Sequence, residues 1–418
     1  MLSRSELAPI GRDSGRDRAE AAMEMGRFLP GPSISVAASA RSGAAPPRPR
    51  TNSWRTQDED LCALCASVAK TSVFSVALWR SPLPLWPNAN AMRKRLLIIV
   101  MALAAAVACH GAEPARAYRI GMIPKGSTHE HWKRVHAGAE KAVREFAAAG
   151  VAVDVIWKAP IREDDREQQV EVVEGFISQG VNGLVLAPLD SRALVRPVEE
   201  AKAAGIPTVI FDSALATTGD QVSYVSTDNG KGGHLAGQRM SELLKGSGTV
   251  LMLRYQEGSA ATEERERGFL DELKRSPNIH VVSSDQFAGP TRDTAKTASE
   301  NLLNRFAEKV DGIFTPNESS TAGMLLALQD IGKAGTITFV GFDYSPTFIP
   351  PLERGELKGF VVQNPVNMGY LSVKTMVDHL RGQTVPATLD TGVSLVTLDN
   401  LKDPAVQAVI NPPEAAGN

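Results

Sequence analysis

Cysteine is scarce in this chain of 418 residues, which contains three, Cys62, Cys65 and Cys109. Since none follows Cys109, a fold stapled by disulfides and a cysteine-ligated metal site are both excluded from the rest of the chain. No second Cys-x-x-Cys pair occurs, so we attribute the spacing of Cys62 and Cys65 to chance rather than to a zinc or redox site.

Catalytic signatures and a basic surface are also missing. The sequence has no G-x-S-x-G elbow, no H-E-x-x-H pair and no P-loop. We therefore expect that the protein is not an enzyme and binds no cofactor. From Tyr118 onward, 30 Lys and Arg against 38 Asp and Glu give a net charge of −8, which argues against nucleic acid as a partner. His129 and His131 have the spacing of a metal pair, but no third ligand is near them in the sequence, and we expect no metal.

An export signal begins at Met92. Three basic residues are followed by an apolar run over residues 96–108, the layout of a secretory signal peptide and too short for a membrane-spanning helix. We therefore predict a signal peptide over residues 92–117. Residues 1–91 are then either a leader without a hydrophobic core or a stretch upstream of the true translation start. Cleavage after Ala117 would release the chain from Tyr118 onward as a free protein, whereas processing at Cys109 would leave the protein attached to a lipid anchor. Both alternatives predict a periplasmic or other extracytoplasmic location.

Strands and helices alternate from Tyr118 to about residue 381. Continuous apolar strands joined by amphipathic helices indicate parallel sheets covered on both faces. About 300 residues are too many for one doubly wound core, which predicts two α/β lobes. A (β/α)₈ barrel is the alternative, because it has the same alternation and a similar length.

Polar side chains follow the predicted strands, where open parallel sheets bind their ligands. Carboxylates, amides, an arginine and an indole suit a polyhydroxylated ligand, since carboxylates accept from adjacent hydroxyls and an indole covers the apolar face of a sugar ring. The candidate positions are Lys125, His129, His131, Trp132, Asp212, Ser213, Arg265, Asn317, Asp343 and Gln363.

The chain resembles the periplasmic sugar-binding proteins of the ribose-binding type, which are related to the effector domain of LacI-like repressors. The segments that carry the resemblance run from Arg119 to about Val396, and it rests on their number, order and spacing. They are Ile120-Gly121-Met122-Ile123-Pro124-Lys125, Gly180 to Pro188, Gly205 to Asp212, Asp228-Asn229 through Gly232-Gly233, Arg265 with Gly268-Phe269, Asn317-Glu318, Val340 to Asp343, and Gln363.

The resemblance implies a periplasmic binding protein of type 1, with two doubly wound parallel-sheet lobes joined by a hinge of three strands. It places an N-terminal lobe at residues 118–226 plus 364–390 and a C-terminal lobe at residues 227–363 plus 391–410. The ten candidate positions match the family's ligand-binding positions. Ribose binders have Ser, Asn and Phe where this chain has Lys125, His129 and His131, and Arg in place of Ser213, so ribose itself is not implied.

The function that the resemblance implies is that of a monomeric solute receptor that binds a monosaccharide or related polyol and delivers it to an ABC permease. Lys125, His129 and His131 suggest an acidic ligand, while Asp212 and Asp343 favour a neutral one. A sensory receptor for a sugar or for autoinducer-2 would use the same cleft. A LacI-type repressor is disfavoured by the export signal.

Several of these residues also have simpler interpretations. The glycines at positions 230, 232, 233 and 237 are similar to a dinucleotide-binding fingerprint, although their spacing is not G-x-G-x-x-G. They leave a secreted NAD(P)-dependent oxidoreductase as a third alternative. Trp132 could be ordinary core packing. Ser127 and Glu130 are spaced as a capping box, which we expect at the start of the first helix.

Overall fold

The structure is a computed structural model, and it describes residue 101 and residues 117–413. The predicted leader at residues 1–91, the signal peptide apart from residues 101 and 117, and Cys109 lie outside the described residues. Among the described residues, no helix is both long and apolar enough to cross a bilayer.

The first sheet has six strands, all parallel. Its order is β11-β5-β4-β3-β1-β2. The strands are β1 (Tyr118–Ile123), β2 (Val153–Trp157), β3 (Gly183–Leu186), β4 (Thr208–Phe211), β5 (Ser223–Ser226) and β11 (Thr388–Asp390).

The second sheet repeats this layout in the order β12-β10-β9-β8-β6-β7, with β12 antiparallel to β10. Its strands are β6 (Ser247–Met252), β7 (Asn278–Ser283), β8 (Gly312–Phe314), β9 (Thr338–Phe342), β10 (Phe360–Gln363) and β12 (Val393–Val396). The barrel alternative is therefore wrong, because each sheet is open and ends in edge strands. The prediction of two parallel-sheet α/β lobes is confirmed.

Ten α-helices cover the faces of the two sheets in the described part of the chain. They are α1 (Glu130–Ala148), α2 (Arg166–Ser178), α3 (Val195–Ala203), α4 (Asn229–Leu243), α5 (Ala260–Leu273), α6 (Arg292–Phe306), α7 (Glu318–Asp330), α8 (Ile349–Glu353), α9 (Pro365–Leu380) and α10 (Pro404–Ile410). A short 3₁₀ turn, Pro346–Phe348, precedes α8. The sequence patterns place most elements within one to three residues of these bounds and miss α8, α10, β11 and β12.

Each lobe has an apolar cluster on both faces of its sheet. In the central strands β3, β4 and β8 every residue is buried, which is why their sequences read as continuous apolar runs. The chain passes between the lobes three times: from β5 to α4, from β10 to α9, which packs on α1 and β4, and from β11 to β12. These passages keep the carboxyl ends of the two parallel sheets close to a common cleft.

Candidate functional site

A buried cavity lies between the two lobes, at the carboxyl ends of their parallel strands. The space between its walls, counting the part that opens to solvent, is about 350 Å³. Its lining side chains are Lys125, His129, His131, Trp132, Glu163, Asp212, Tyr255, Ala261, Thr262, Arg265, Asn317, Glu318, Asp343 and Gln363.

Asp212 is the centre of the N-terminal half of the site. It follows β4 directly and has a positive φ of 61°, a conformation that Asp tolerates better than most residues. Its carboxylate lies 3.2 Å from the Lys125 ammonium and 3.1 Å from Nε2 of His131. Burial alone would raise the pKa of Asp212, but the attraction of Lys125 and the contact with His131 hold it well below its usual value.

Glu163 forms a second buried cluster beside the cavity. Its Oε1 accepts from Trp132 Nε1 at 2.6 Å and lies 2.7 Å from Nδ1 of His129. Burial disfavours both charges, but the attraction between them outweighs it: the pKa of His129 is raised to about 9 and that of Glu163 is lowered to about 2. The pair is therefore ionised at neutral pH, and Trp132 is fixed by its own indole N–H.

The lobes are in contact around this cluster, so the cavity is closed. Tyr255, from the C-terminal lobe, donates its hydroxyl to Oε2 of Glu163 at 2.8 Å. Lys125 reaches Ser259 at 3.3 Å, and the backbone N–H of Ala261 donates to Oγ of Ser213 at 3.1 Å. All three contacts join one lobe to the other and would be lost if the lobes separated.

Asp343 is the centre of the C-terminal half. It follows β9 and has a φ of 64°. Gln363 donates to its carboxylate at 2.7 Å, the backbone N–H of Glu318 donates at 3.2 Å, and Arg265 lies 3.6 Å away. The side-chain oxygen of Gln363 is buried without a hydrogen-bond partner, which leaves an acceptor free at the wall of the cavity.

Arg265 is fixed by three contacts within its own lobe. Its guanidinium donates to Asn229 at 2.8 Å and to the carbonyl of Pro316 at 3.1 Å, and it stacks on the ring of Phe342 at 4.2 Å. Such a pre-set planar fork suits recognition of adjacent oxygens.

The glycine-rich segment of α4 explains how Arg265 reaches this place. A Cβ at Gly233 would lie 2.1 Å from the carbonyl oxygen of Arg265, and a Cβ at Gly268 would lie 2.2 Å from that of Gly230. Glycine is therefore needed for the close packing of α4 on α5. Because these glycines sit inside a helix interface and not in a loop after a strand, they do not form a dinucleotide-binding turn.

Asn317 and Glu318 mark the start of α7. Asn317 caps that helix through a reciprocal contact with Ser320. Glu318 pairs with Arg292 and accepts from the backbone N–H of Glu130, the first residue of α1 in the other lobe, at 2.9 Å. The expected capping box of Ser127 and Glu130 is wrong: the cap position of α1 is His129, without a side-chain cap, and the carboxylate at this helix N-terminus comes from the opposite lobe.

Nine of the ten sequence-predicted positions line the cavity, and the tenth, Ser213, does not. Ser213 is fully buried and its hydroxyl is directed to the backbone of α5. The sequence patterns do not identify the five other lining residues, which are Glu163, Tyr255, Ala261, Thr262 and Glu318. Two of them could have been found from the rule that ligands bind beyond the carboxyl ends of parallel strands. Glu163 lies in the loop after β2 and Tyr255 in the loop after β6.

No group of three or more His, Cys, Asp or Glu side chains within the described residues is arranged to hold a metal ion. The histidines of the site instead contact Glu163 and Asp212.

Two α/β lobes, each built on an open sheet, meet around a buried polar cavity. This arrangement defines a bilobal solute-binding protein. The profile of the periplasmic binding protein domain matches residues 120–384, and the chain belongs to this family. The family is extracytoplasmic and serves transport.

Curated relatives agree with this assignment. The ribose import binding protein of Bacillus subtilis is 28% identical over 67% of this chain and 87% of its own. The D-allose-binding periplasmic protein of Escherichia coli is 29% identical over 63% of this chain and 86% of its own.

Solved structures extend the likeness to the fold. The periplasmic component of an ABC-type sugar transport system from Hahella chejuensis has a TM-score of 0.64 and 33% identity, over 67% of this chain and 99% of that one. A carbohydrate solute-binding protein from Agrobacterium radiobacter, in complex with D-arabinose, has a TM-score of 0.66 and 30% identity, over 71% of this chain and all of that one.

Proposed function

We propose that this protein is a non-enzymatic, extracytoplasmic receptor that binds a neutral monosaccharide or related polyol between its lobes and delivers it to an ABC permease. The observation that carries the proposal is the closed cavity itself, whose walls are buried polar side chains supplied by both lobes. Named relatives bind ribose, allose, arabinose and xylitol, which are all neutral and polyhydroxylated.

The charges of the cavity favour a neutral ligand over an acidic one. Each basic side chain that lines it already lies within 4 Å of a carboxylate: Lys125 and His131 beside Asp212, His129 beside Glu163, and Arg265 beside Asp343. An anionic ligand would meet no unpaired cation and would be repelled by the carboxylates. The hydroxyls of a sugar can donate to those carboxylates and accept from Arg265 or Lys125.

Ligand binding is coupled to closure in this proposal. The side chains around the cavity come from both lobes, so a bound sugar stabilises the closed state through contacts that an open state lacks. The closed surface is then what a permease recognises. We expect the receptor to act as a monomer, because the site is completed by the two lobes of one chain. Soluble release and tethering through Cys109 are both compatible with this role.

A thermal-shift screen of the purified protein tests the proposal directly. Pentoses, hexoses and polyols should raise the melting temperature, with dissociation constants in the low micromolar range or below, about −8 kcal/mol or more favourable. Sugar acids should not change the melting temperature. Autoinducer-2 and nicotinamide cofactors are included to test the alternative functions, a sensory receptor and an oxidoreductase. A shift confined to sugar acids, autoinducer-2 or a cofactor would refute a neutral sugar as the ligand.

The role of Arg265 is tested in the same screen. Arg265→Ala should abolish the shift produced by sugar, because the guanidinium fork is lost from the cavity. Arg267→Ala is the matched control, since Arg267 lies on the same helix with its side chain exposed. An undiminished shift in Arg265→Ala would remove this residue from the site.

A further inference from the structure

One loop of the C-terminal lobe, residues 255–259 between β6 and α5, bonds to the N-terminal lobe along its whole length. We call this loop the clasp. Each of its five residues shares a hydrogen bond with the segments that follow β1, β2 and β3. The partners, in order from residue 255 to residue 259, are Oε2 of Glu163 at 2.8 Å, the carbonyl of Glu163 at 2.8 Å, the guanidinium of Arg166 at 3.2 Å, the backbone N–H of Ser191 at 2.9 Å and the ammonium of Lys125 at 3.3 Å.

The C-terminal lobe itself fixes the shape of the clasp. The buried carboxylate of Glu266 accepts the backbone N–H of Tyr255 at 3.0 Å and pairs with Arg254 at 2.7 Å. The carboxylate of Glu263 accepts the backbone N–H of Gly258, also at 3.0 Å. Both glutamates lie on α5, so these contacts join residues of one lobe and do not depend on the other.

At Gly258 the backbone of the clasp lies directly against the N-terminal lobe. The residue has a φ of 88°, and a Cβ there would lie 2.3 Å from Oδ2 of Asp190. Asp190 is held in place, because Oδ2 pairs with Arg166 at 2.7 Å and Oδ1 accepts the backbone N–H groups of Arg192 and Ala193. A side chain at position 258 would therefore obstruct the contact between the lobes.

The clasp acts on the lobes more than on the ligand. Tyr255 lines the cavity of the proposed ligand, whereas the other four residues of the clasp lie outside its wall. All five bonds to the N-terminal lobe break if the lobes separate, and a solute enclosed between them leaves only after they separate.

We infer that the clasp sets the residence time of the bound solute, by the same factor for every solute, whereas the cavity determines which solute binds. Contacts made only in the closed complex slow release and have little effect on entry. The inference rests on the proposed function for the presence of a solute in the cleft.

The variant Gly258→Ala tests the clasp. The probes are D-ribose, D-allose, D-arabinose and xylitol, and stopped-flow fluorescence of the purified protein measures both rate constants for each probe that binds. Because the added methyl group obstructs closure, the dissociation rate constant should rise about tenfold, the effect of losing one hydrogen bond to a charged group. The association rate constant should stay within about twofold.

Gly246→Ala is the matched control. Gly246 is in the same lobe and also has a positive φ, 75°, but a Cβ there would have no atom within 4 Å. The control therefore carries the backbone strain of alanine at positive φ without obstructing the lobes. Both of its rate constants should match those of wild type, and a tenfold faster dissociation in Gly246→Ala would overturn the inference.

A second substitution should partly rescue Gly258→Ala. Asp190→Ala removes the two atoms nearest to the added methyl group, which lie at 2.3 and 2.9 Å. Dissociation from the double variant should be at least about threefold slower than from Gly258→Ala, although Asp190→Ala alone should not slow it. Such coupling requires that the two positions meet in the closed complex, whereas a loop that is merely weakened would give additive effects.

The outcomes separate the clasp from the proposed function. An unchanged dissociation rate constant in Gly258→Ala, a loss that appears in association instead, or additive effects with Asp190→Ala would overturn the clasp while solute binding stands. Failure of every neutral sugar and polyol to bind the wild type would overturn the proposed function, and the clasp with it.

Discussion

Each lobe places an aspartate at the wall of the cavity, but the two aspartates have different partners. Strands β4 and β9 occupy the same place in their sheets, each ends in Phe, and each is followed by an aspartate with a φ near 60°. Asp212 is surrounded by side chains that carry or can carry a proton, Lys125 and His131. Asp343 is instead held by an amide, a backbone N–H and, at longer range, an arginine.

This difference places the ionisable partners Lys125 and His131 in the N-terminal half of the site. The backbone at both aspartates lies in the left-handed region, which is costly for non-glycine residues and is maintained where surrounding structure fixes it. Because the backbone geometry is shared, the unlike partners determine how each half responds to mutation and to pH. The N-terminal half, which also contains the buried pair of His129 and Glu163, should respond more strongly.

The largest expected contrast is between Asp212→Asn and Asp343→Asn. Asparagine tolerates a positive φ and keeps the shape, so each variant removes the charge and replaces one accepting oxygen with a donating amide nitrogen. Asp212→Asn leaves the buried Lys125 without its carboxylate and should lower the free energy of unfolding by about 3 kcal/mol. Asp343→Asn should cost about 1 kcal/mol, because Arg265 keeps Asn229 and the carbonyl of Pro316. Urea unfolding of the ligand-free protein measures both, and equal losses would contradict the contrast.

The next contrast is the pH dependence of stability. The folded-state pKa of His129, about 9, exceeds its ordinary 6.5, so its stabilisation is complete below pH 6.5 and lost as the pH rises through 9. The pKa of Glu163, about 2, lies below its ordinary 4.5, so its stabilisation is complete above pH 4.5 and lost as the pH falls through 2. Melting temperature should therefore be highest between about pH 4.5 and 6.5.

Two variants attribute this profile to the pair. Glu163→Gln should flatten the decline in melting temperature between pH 6.5 and 9, since His129 no longer has its carboxylate. Glu199→Gln is the control, an exposed glutamate in the same lobe. A decline that persists unchanged in Glu163→Gln would assign it to another group.

A smaller effect is expected at the contact that joins the halves, the hydroxyl of Tyr255 on Glu163. Burial raises the pKa of Tyr255 well above its ordinary value, so the hydroxyl stays protonated and donates. Tyr255→Phe removes one hydrogen bond to a charged group from the closed state and should weaken sugar binding about tenfold. Tyr370→Phe is the control, because Tyr370 bonds Glu145 at the exposed surface of one lobe. Equal dissociation constants for wild type and Tyr255→Phe would show that this contact does not stabilise closure.

Most of the fold could be predicted from the sequence because its signals are local. Apolar runs such as residues 183–186 and 208–211 form strands buried on both faces, and polar residues directly after them, such as Asp212 and Asp343, lie at the sheet edge where ligands bind. Helix α10 was missed, since its seven residues are too few for a periodic pattern.

The missed parts of the site depend on contacts between distant segments. Glu163 acquires its role from Trp132, His129 and Tyr255, and the last of these is 92 residues away and in the other lobe. Glu130 was assigned to a local capping box, whereas the N-terminus of its helix meets Glu318, 188 residues away. Sequence spacing cannot indicate such partners, because closure of the lobes brings them together.

The smallest expected effect is at Ser213, which directly follows Asp212 but points away from the cavity. Its hydroxyl accepts from the backbone N–H of Ala261 in the other lobe, so Ser213→Ala should cost the closed state about 1 kcal/mol and weaken every sugar by the same factor of about five. Titration of several sugars against the variant measures this ratio. A change in the order of affinities would mean that Ser213 touches the ligand, and that the N-terminal half of the site extends one residue beyond its aspartate.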